Sequence, residues 1–214
     1  MAVVHLVRHG QASFGAAEYD ELSELGRAQS RTVGAALAAR DVRLDRAVSG
    51  GLRRQQDTAA LCLEAAGLDI GYSIDPRFDE YDHLGLVELL QDGPVPASSR
   101  EFQTVLDDAL RRWISGELTL AGLSWAHFVE RVWAGLTDEL ATLGKGGSGA
   151  VFTSGGAITA ICATLLELPP AGCVALHRVV VNGGITKVVS GRSGSVLISF
   201  NEHAHLPAAE ITYR

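Results

Sequence analysis

The residues with the clearest chemical potential follow the first apolar run, VVHLVRHGQAS at residues 3–13. There Arg8, His9 and Gly10 come directly after a β-branched segment. Arginine binds phosphoryl oxygens through two parallel hydrogen bonds. A neutral imidazole nitrogen can attack phosphorus, and glycine lets the backbone approach a ligand closely. The three residue types together predict a phosphate site at the end of this segment.

Other polar groups follow later segments that we predict to be strands. They are Ser49 to Gly51, Asp79-Glu80, and Thr153-Ser154-Gly155. Ligands of parallel α/β sheets bind beyond the carboxyl ends of the strands. We therefore expect these groups to meet Arg8-His9 in one site, where Arg53 or Arg54, at the start of the following helix, completes a cationic cradle.

The chain alternates short apolar strands with amphipathic helices. Strands are predicted at 3–7, 45–50, 150–154, 173–181, 184–191 and 195–200, with a weaker strand after residue 71. Helices are predicted at 52–67, 101–114, 124–144 and 155–168, and a further helix is predicted after an N-cap at Ser23. The gap Asn182-Gly183-Gly184 predicts a hairpin between 173–181 and 184–191. This order favours a mostly parallel sheet with helices on both faces.

The composition bounds the class of protein. The chain has 214 residues, 47% of them hydrophobic, which predicts one folded domain over 1–214. A formal net charge of −7 argues against nucleic acid as a partner. Three cysteines without metal-ligand spacing predict reduced thiols in a cytoplasmic protein. We expect no signal peptide and no membrane partner, and leave open a homodimer through an edge strand or a helix.

An ordered set of motifs resembles the histidine phosphatase superfamily, in its phosphoglycerate-mutase-like branch. The motifs are LVRHGQAS at 6–13, LRRQQDTA at 52–59, DPRFDEYDH at 75–83, VFTSGGAI at 151–158, NGGIT at 182–186 and NEHAHL at 201–206. The resemblance implies a three-layer α/β/α sandwich on a mainly parallel sheet with one antiparallel strand. It also implies that no cofactor and no metal are needed, and that 84–124 forms a cap-like insertion.

The resemblance also assigns roles to residues. His9 would be the nucleophile that becomes phosphorylated, and Arg8 a phosphate ligand. The second arginine of the family precedes a Thr-Ala pair by four residues, which selects Arg54 and leaves Arg53 as a solvated helix residue. Glu80 would be the acid/base carboxylate, with Asp82 as the alternative.

Ser154 departs from the family pattern, which has a histidine before Gly-Gly. A neutral donor in place of a charged one would lose about 1–2 kcal/mol of transition-state stabilisation, roughly a tenfold loss in rate. Arg8, Arg54 and the backbone at Gly155 are expected to hold the phosphoryl oxygens in its absence. We hypothesise that His83, kept protonated by nearby acids, supplies the lost cation.

The family often has an asparagine five residues after the glycine of its Arg-His-Gly motif, where this chain has Gly15, so one phosphate contact is either missing or supplied by Gln11 or Ser13. The favoured function is a metal-independent phosphohydrolase that acts on a small phosphomonoester through a phosphohistidine at His9. The alternatives are a phosphoglycerate-mutase-type phosphotransferase and a catalytically weakened binding protein for phosphorylated ligands. A serine hydrolase using Ser154 is a further alternative, although Phe152 crowds the turn such a nucleophile needs.

Overall fold

A computed structural model describes residues 1–13, 20–90 and 99–213, with the backbone alone at 99–102. The strands are β1 (Ala2–Arg8), β2 (Arg46–Ser49), β3 (Ser73–Ile74), β4 (Ser148–Thr153), β5 (Ile185–Gly191) and β6 (Gly194–Glu202). The helices are α1 (Glu24–Ala39), α2 (Arg53–Ala65), α3 (His83–Glu88), α4 (Ser99–Ile114), α5 (Trp125–Leu143), α6 (Gly155–Leu166) and α7 (Pro170–His177). Ser23 Oγ accepts a hydrogen bond from the backbone nitrogen of Gly26, which confirms the predicted N-cap of α1.

The strands form one sheet with the order β3-β2-β4-β1-β5-β6 among the described residues. β1 pairs in parallel with β4 and antiparallel with β5, and β5 also pairs antiparallel with β6. β5 is therefore the strand that runs against the others, as the resemblance implied. The central neighbours β1 and β4 end side by side, Arg8 opposite Thr153, so the residues after them share one edge of the sheet.

Both faces of the central strand β1 are buried, which explains its apolar run. Val4 and Leu6 pack with side chains of α5 and α6 on one face. Val7 packs with Val33 of α1 and Ala59 of α2 on the other. The fold is thus the predicted three-layer α/β/α sandwich.

The prediction of a strand at 173–181 is wrong. Pro170 occupies the first turn of α7, where proline is pre-organised for a helix, and the helix continues to His177. The apolar residues Val180 and Val181 are nevertheless buried, in a non-strand connection to β5. The hairpin joins β5 to β6 through a two-residue turn instead.

The segment 84–124 contributes to the same core as the sheet. Leu106, Leu110 and Trp113 of α4 lie in the hydrophobic cluster that also contains Leu6 of β1. Residues 91–98 of the predicted cap-like insertion lie outside the described residues, and the insertion stays a prediction. Within the described part of the chain, no helix has the length and apolar character needed to cross a membrane.

Candidate active site

His9 lies directly after β1 and is buried, with 6% of its surface exposed. Its Nδ1 lies 2.7 Å from the carbonyl oxygen of Gly10, which can only accept a hydrogen bond, so Nδ1 carries the ring proton. Nε2 therefore keeps its unshared electron pair and accepts a hydrogen bond from Arg54 Nε at 3.2 Å. The ring presents an unprotonated nitrogen, the form that a nucleophile requires.

Burial and two nearby cations keep this imidazole neutral. Desolvation lowers the pKa of His9 well below its ordinary value of 6.5, and the guanidinium groups of Arg54 and Arg8 lower it further. The hydrogen bond to Gly10 opposes this shift without reversing it. His9 is therefore uncharged at neutral pH.

The two arginines that begin α2 have different surroundings. The side chain of Arg54 is 8% exposed, and its Nη1 contacts Asp20 Oδ1 at 2.6 Å. The side chain of Arg53 is 52% exposed and pairs with Glu21. The burial of Arg54 against His9 fits the predicted role in phosphate binding, whereas Arg53 lies on the surface.

Arg8 connects the site to the C-terminal segment. Its Nη1 donates to the carbonyl oxygens of Val180 and Tyr213, the latter at 3.0 Å. The guanidinium also lies beside the start of α6, since a Cβ added at Gly155 would be 3.6 Å from Arg8 Nε. The positive end of this helix dipole and the charge of Arg8 both favour an anion there.

Three contacts fix the backbone around His9. The backbone nitrogen of Gly10 donates to Thr58 Oγ1 at 3.1 Å, and Asn182 Nδ2 donates to the carbonyl oxygen of His9 at 3.1 Å. A Cβ at Gly10 would collide with the backbone carbonyl of Gly26 in α1. Packing against α1 thus accounts for this glycine, which sequence reasoning had assigned to close approach of a ligand.

Glu80 lies between β3 and α3, and its Oε2 accepts a hydrogen bond from the backbone nitrogen of Gly156 at 3.0 Å. A Cβ at Gly156 would collide with Glu80 Oε1 and with the ring of Tyr81, so this approach requires glycine. Desolvation raises the pKa of Glu80 above its ordinary value of 4.5, outweighing the hydrogen bond from Gly156 and the charges of Arg54 and Arg8. A carboxyl whose pKa is raised holds its proton to higher pH, which suits a general acid.

The acids beside Glu80 are bound to backbone nitrogens. Asp79 accepts a hydrogen bond from the backbone nitrogen of Gly51, just before α2. Asp82 is the N-cap of α3, and its Oδ1 accepts from the backbone nitrogen of Gly85 at 3.0 Å. Since Asp82 caps a helix, Glu80 is the better candidate for the acid/base role.

Ser154 is fully buried at the N-cap position of α6, yet its side chain makes no capping hydrogen bond. Its Oγ accepts from Gln55 Nε2 at 2.8 Å, and the same amide donates to the carbonyl oxygen of Phe78 at 3.2 Å. An amide cannot remove the serine proton, so this arrangement does not favour a serine nucleophile. Phosphate contacts by Ser154 and by the backbone of Gly155 stay predictions.

His83 is the first residue of α3, and its charge would affect the pKa of His9. Burial, followed by the charge of Arg54, lowers the pKa of His83 to about 4, although Asp82 opposes the shift. In the ligand-free protein desolvation thus outweighs the neighbouring carboxylate and disfavours the protonated form of His83, and the cationic role expected of His83 stays a prediction.

The predicted auxiliary residues lie in the loop after His9. Gln11 Oε1 accepts a hydrogen bond from Ser23 Oγ at 2.9 Å, and the backbone nitrogen of Ser13 donates to the carbonyl oxygen of Glu21 at 2.8 Å. These bonds attach the loop to the start of α1. The phosphate contact expected from Gln11 or Ser13 stays a prediction.

The structure places a further histidine at this edge of the sheet. His177, the last residue of α7, has its Nε2 3.3 Å from the hydroxyl of Tyr81. Burial, followed by the charge of Arg8, lowers the pKa of His177 to about 4.

For metals, no three His, Cys, Asp or Glu side chains among the described residues are grouped as a metal ion would require.

Comparison with known proteins identifies the family. The model of the histidine phosphatase superfamily (branch 1) matches residues 4–203, a range that includes His9, Arg54 and Glu80. The chain belongs to this superfamily. The resemblance seen in the ordered motifs is thereby confirmed over almost the whole chain, despite serine at position 154.

Solved structures similar to this histidine phosphatase include other phosphatases. A mycobacterial glucosyl-3-phosphoglycerate phosphatase in complex with inorganic phosphate shares 26% identity, with a TM-score of 0.67 over 96% of this chain and 99% of that one. A phosphoserine phosphatase mutant from Entamoeba histolytica bound to phosphoserine shares 22% identity, with a TM-score of 0.69 over 97% and 100%. YhfR of Bacillus stearothermophilus shares 16% identity, with a TM-score of 0.72 over 96% and 99%.

No curated protein sequence matches this histidine phosphatase significantly. The family and the phosphatases among the structural neighbours support phosphohydrolase activity, and the chain is a phosphatase of the histidine phosphatase type.

Sequence reasoning about this histidine phosphatase missed several residues of the site. Asn182 was assigned to a hairpin turn, and its contact with the carbonyl oxygen of His9 has no local signature. Gln55 and Asp20 are side-chain partners of Ser154 and Arg54 that only packing reveals. His177 was missed because its segment was predicted to be a strand, and His177 lies within that predicted strand, so it was not expected among the site residues that follow strand ends.

Proposed function

We propose that this histidine phosphatase hydrolyses a small phosphomonoester without a metal, through a phosphohistidine at His9. The observation that carries the proposal is the state of the His9 ring. Its Nδ1 proton is held by Gly10, and its Nε2 electron pair lies beside the Arg54 guanidinium. A neutral nucleophile next to a cation is suited to attack a phosphoryl group that the cation holds.

The first step transfers the phosphoryl group to the enzyme. His9 Nε2 forms a bond to phosphorus while the bond from phosphorus to the ester oxygen breaks. Glu80 gives its proton to the leaving oxygen, which departs as an alcohol. Arg8 and Arg54 stabilise the negative charge on the equatorial oxygens.

The second step returns the enzyme to its starting state. A water oxygen forms a bond to phosphorus, the bond to Nε2 breaks, and ionised Glu80 takes a proton from the water. Inorganic phosphate leaves, Glu80 is protonated again, and Nε2 regains its electron pair. The Gly10 carbonyl holds the Nδ1 proton throughout, which stabilises the positive charge on the phosphorylated ring.

The segment 84–124 favours hydrolysis over mutase chemistry. A mutase must hold a second acidic group of its substrate, for which basic side chains are needed. Arg111 and Arg112 of this segment both pair with Asp108, at 2.8 Å and 3.1 Å, and are about half exposed. The side chain of Arg100 lies outside the described residues. The glucosyl-3-phosphoglycerate phosphatase similar to this chain also supports hydrolysis.

We propose a cytoplasmic location, for which the three cysteines are the only support. Cys62, Cys162 and Cys173 are free and buried, and burial raises the pKa of Cys62 and of Cys162 to about 12. Unreactive reduced thiols support the cytoplasmic location expected from the sequence.

A panel of phosphomonoesters tests this function. Sugar phosphates, phospho-acids, phosphoamino acids and an aryl phosphate are incubated with the purified protein, with and without a chelator and orthovanadate. We expect release of inorganic phosphate, inhibition by vanadate and no effect of chelation. Complete loss of activity on chelation would contradict the metal-free mechanism, and vanadate binding without turnover of any ester would favour a binding protein.

A further inference from the structure

The start of α6 borders a small hollow between two basic side chains. Gly155 has no side chain, and a Cβ placed there would lie 3.6 Å from Arg8 Nε and 3.8 Å from His177 Nε2. A guanidinium and an imidazole therefore meet at one point beside the first turn of a helix. Their chemistry suits an anion with several oxygens.

This hollow belongs to the same site as the nucleophile. Arg8 directly precedes His9, and its guanidinium and His177 Nε2 both approach Gly155, so the same guanidinium lies beside the segment that carries the nucleophile and beside His177. Glu80, the candidate general acid, binds the backbone nitrogen of Gly156, the residue that follows the hollow. A phosphoryl group held by Arg8 would thus lie near His9, Glu80 and His177 together.

The serine at position 154 contributes no imidazole to this arrangement. Ser154 has no exposed surface, and its Oγ is bonded to Gln55 Nε2 at 2.8 Å. The glutamine and serine fill this part of the core, and a phosphoryl group would reach Ser154 only after a side-chain shift. His177 reaches the start of α6 from another helix.

The orientation of His177 is set by its neighbours. Tyr81, which bonds to Nε2, is 5% exposed and packs against Trp113, with ring centres 5.2 Å apart. The hydrogen bond between Tyr81 and His177 is long, at 3.3 Å, so a phosphoryl oxygen can compete for the same nitrogen. The next residue, Arg178, is bonded to buried Asp107 of α4, which anchors the end of α7.

We propose that His177 donates a hydrogen bond from Nε2 to an equatorial oxygen of the transferring phosphoryl group, beside Arg8. It would supply the imidazole that position 154 lacks. The inference rests on the proposed phosphatase mechanism and adds a residue to it. In the ligand-free protein the ring is neutral, because burial, Arg8 and His83 lower its pKa against the opposing charge of Asp107.

The test compares His177→Gln with wild type and with His127→Gln. Glutamine keeps a donor near the Nε2 position but cannot become a cation. His127 is exposed at the start of α5, where its Nδ1 contacts Ser124 Oγ, so it is the matched control. Binding of the phosphoryl anion is expected to protonate the ring, a charge that glutamine cannot carry. We therefore expect His177→Gln to lower kcat and the affinity for vanadate about tenfold, the difference between a charge-assisted and an ordinary hydrogen bond, with little change in KM, and His127→Gln to match wild type.

A second measurement does not depend on how the variant folds. With imidazole nitrogens labelled in the wild-type protein, vanadate binding should shift the His177 Nε2 resonance in the NMR spectrum, and should leave that of His127 in place. Unchanged kcat and vanadate affinity in folded His177→Gln, or an unshifted His177 resonance, would overturn the inference. If wild type itself shows no turnover and no phosphorylated His9, the proposed function has failed instead.

Discussion

The two sides of the site are assembled in different ways. The nucleophile side, defined as Arg8, His9, Gly10 and Arg54, comes from the end of one strand and the start of one helix. The acid side, defined as Glu80, Gly156 and His177, comes from three segments that meet only in the folded chain. The first can be predicted from short motifs, whereas the second depends on how α6, α7 and the segment before α3 pack together.

The two sides also shift proton affinities in opposite directions. Burial and two arginines lower the pKa of His9 from 6.5, whereas desolvation raises the pKa of Glu80 from 4.5. At the ordinary values, a neutral imidazole and a protonated carboxyl would never both be the major species. Lowering the pKa of His9 and raising that of Glu80 brings the two values towards each other, which enlarges the fraction of molecules with both groups ready for the first step.

Replacing Arg54 should have the largest effect on the nucleophile side. Arg54→Ala removes the guanidinium beside His9 Nε2, and we expect kcat/KM to fall about 10³-fold, as for loss of a preorganised donor to a developing charge. Arg53→Ala, in the same turn of α2 but half exposed, is the matched control and should stay within about twofold of wild type. Equal losses in both variants would mean that Arg54 acts through the helix and not on the phosphoryl group.

Replacing Glu80 tests the acid side. Glu80→Gln keeps the shape and removes the transferable proton, and we expect kcat to fall about 10²-fold on an alkyl phosphate. The loss should be much smaller on an aryl phosphate, because a phenolate leaves without protonation. Steady-state kinetics on both esters measure the difference, with Asp82→Asn as the control. A loss that is independent of the leaving group would assign Glu80 to a role other than general acid.

The pH profile of kcat/KM should show both shifts. Neutral His9 is required, so activity is lost as pH falls through its pKa, and this limb should lie well below 6.5. Protonated Glu80 is required, so activity is lost as pH rises through its pKa, which lies above 4.5. In Glu80→Gln the alkaline limb attributed to this carboxyl should disappear while the acid limb stays. An acid limb at or above 6.5 would show that His9 is not held neutral.

Restoring a histidine at position 154 should have the smallest effect on activity. Ser154→His would overfill a fully buried site against Gln55, and we expect a loss of about 1–3 kcal/mol in the free energy of unfolding, with no gain in kcat. Thermal unfolding of this variant is compared with that of Ser193→His, which lies exposed in the β5–β6 turn. A rise in kcat would show instead that the serine is a handicap in an otherwise unchanged site.

The sequence predicted the sheet, and it predicted that Arg8, His9 and Arg54 lie together, because both have local signatures. An apolar run along a strand indicates burial on both faces of that strand, and Arg-His-Gly after a strand indicates a phosphate site. The prediction of a strand at 173–181 was wrong because β-branched residues favour strands locally, whereas Pro170 and the packing of α7 stabilise a helix there. The lowered pKa of His83 could not be foreseen either, since desolvation depends on burial that sequence neighbours do not show.

The most direct test of the account is covalent trapping. Wild type and His9→Ala are mixed briefly with a ³²P-labelled phosphomonoester that the wild type hydrolyses, quenched in alkali and digested, and the labelled peptide is mapped. The account predicts an acid-labile, alkali-stable label on His9 in wild type, and no label and no turnover in His9→Ala. A label on another residue, or turnover that persists in His9→Ala, would contradict it.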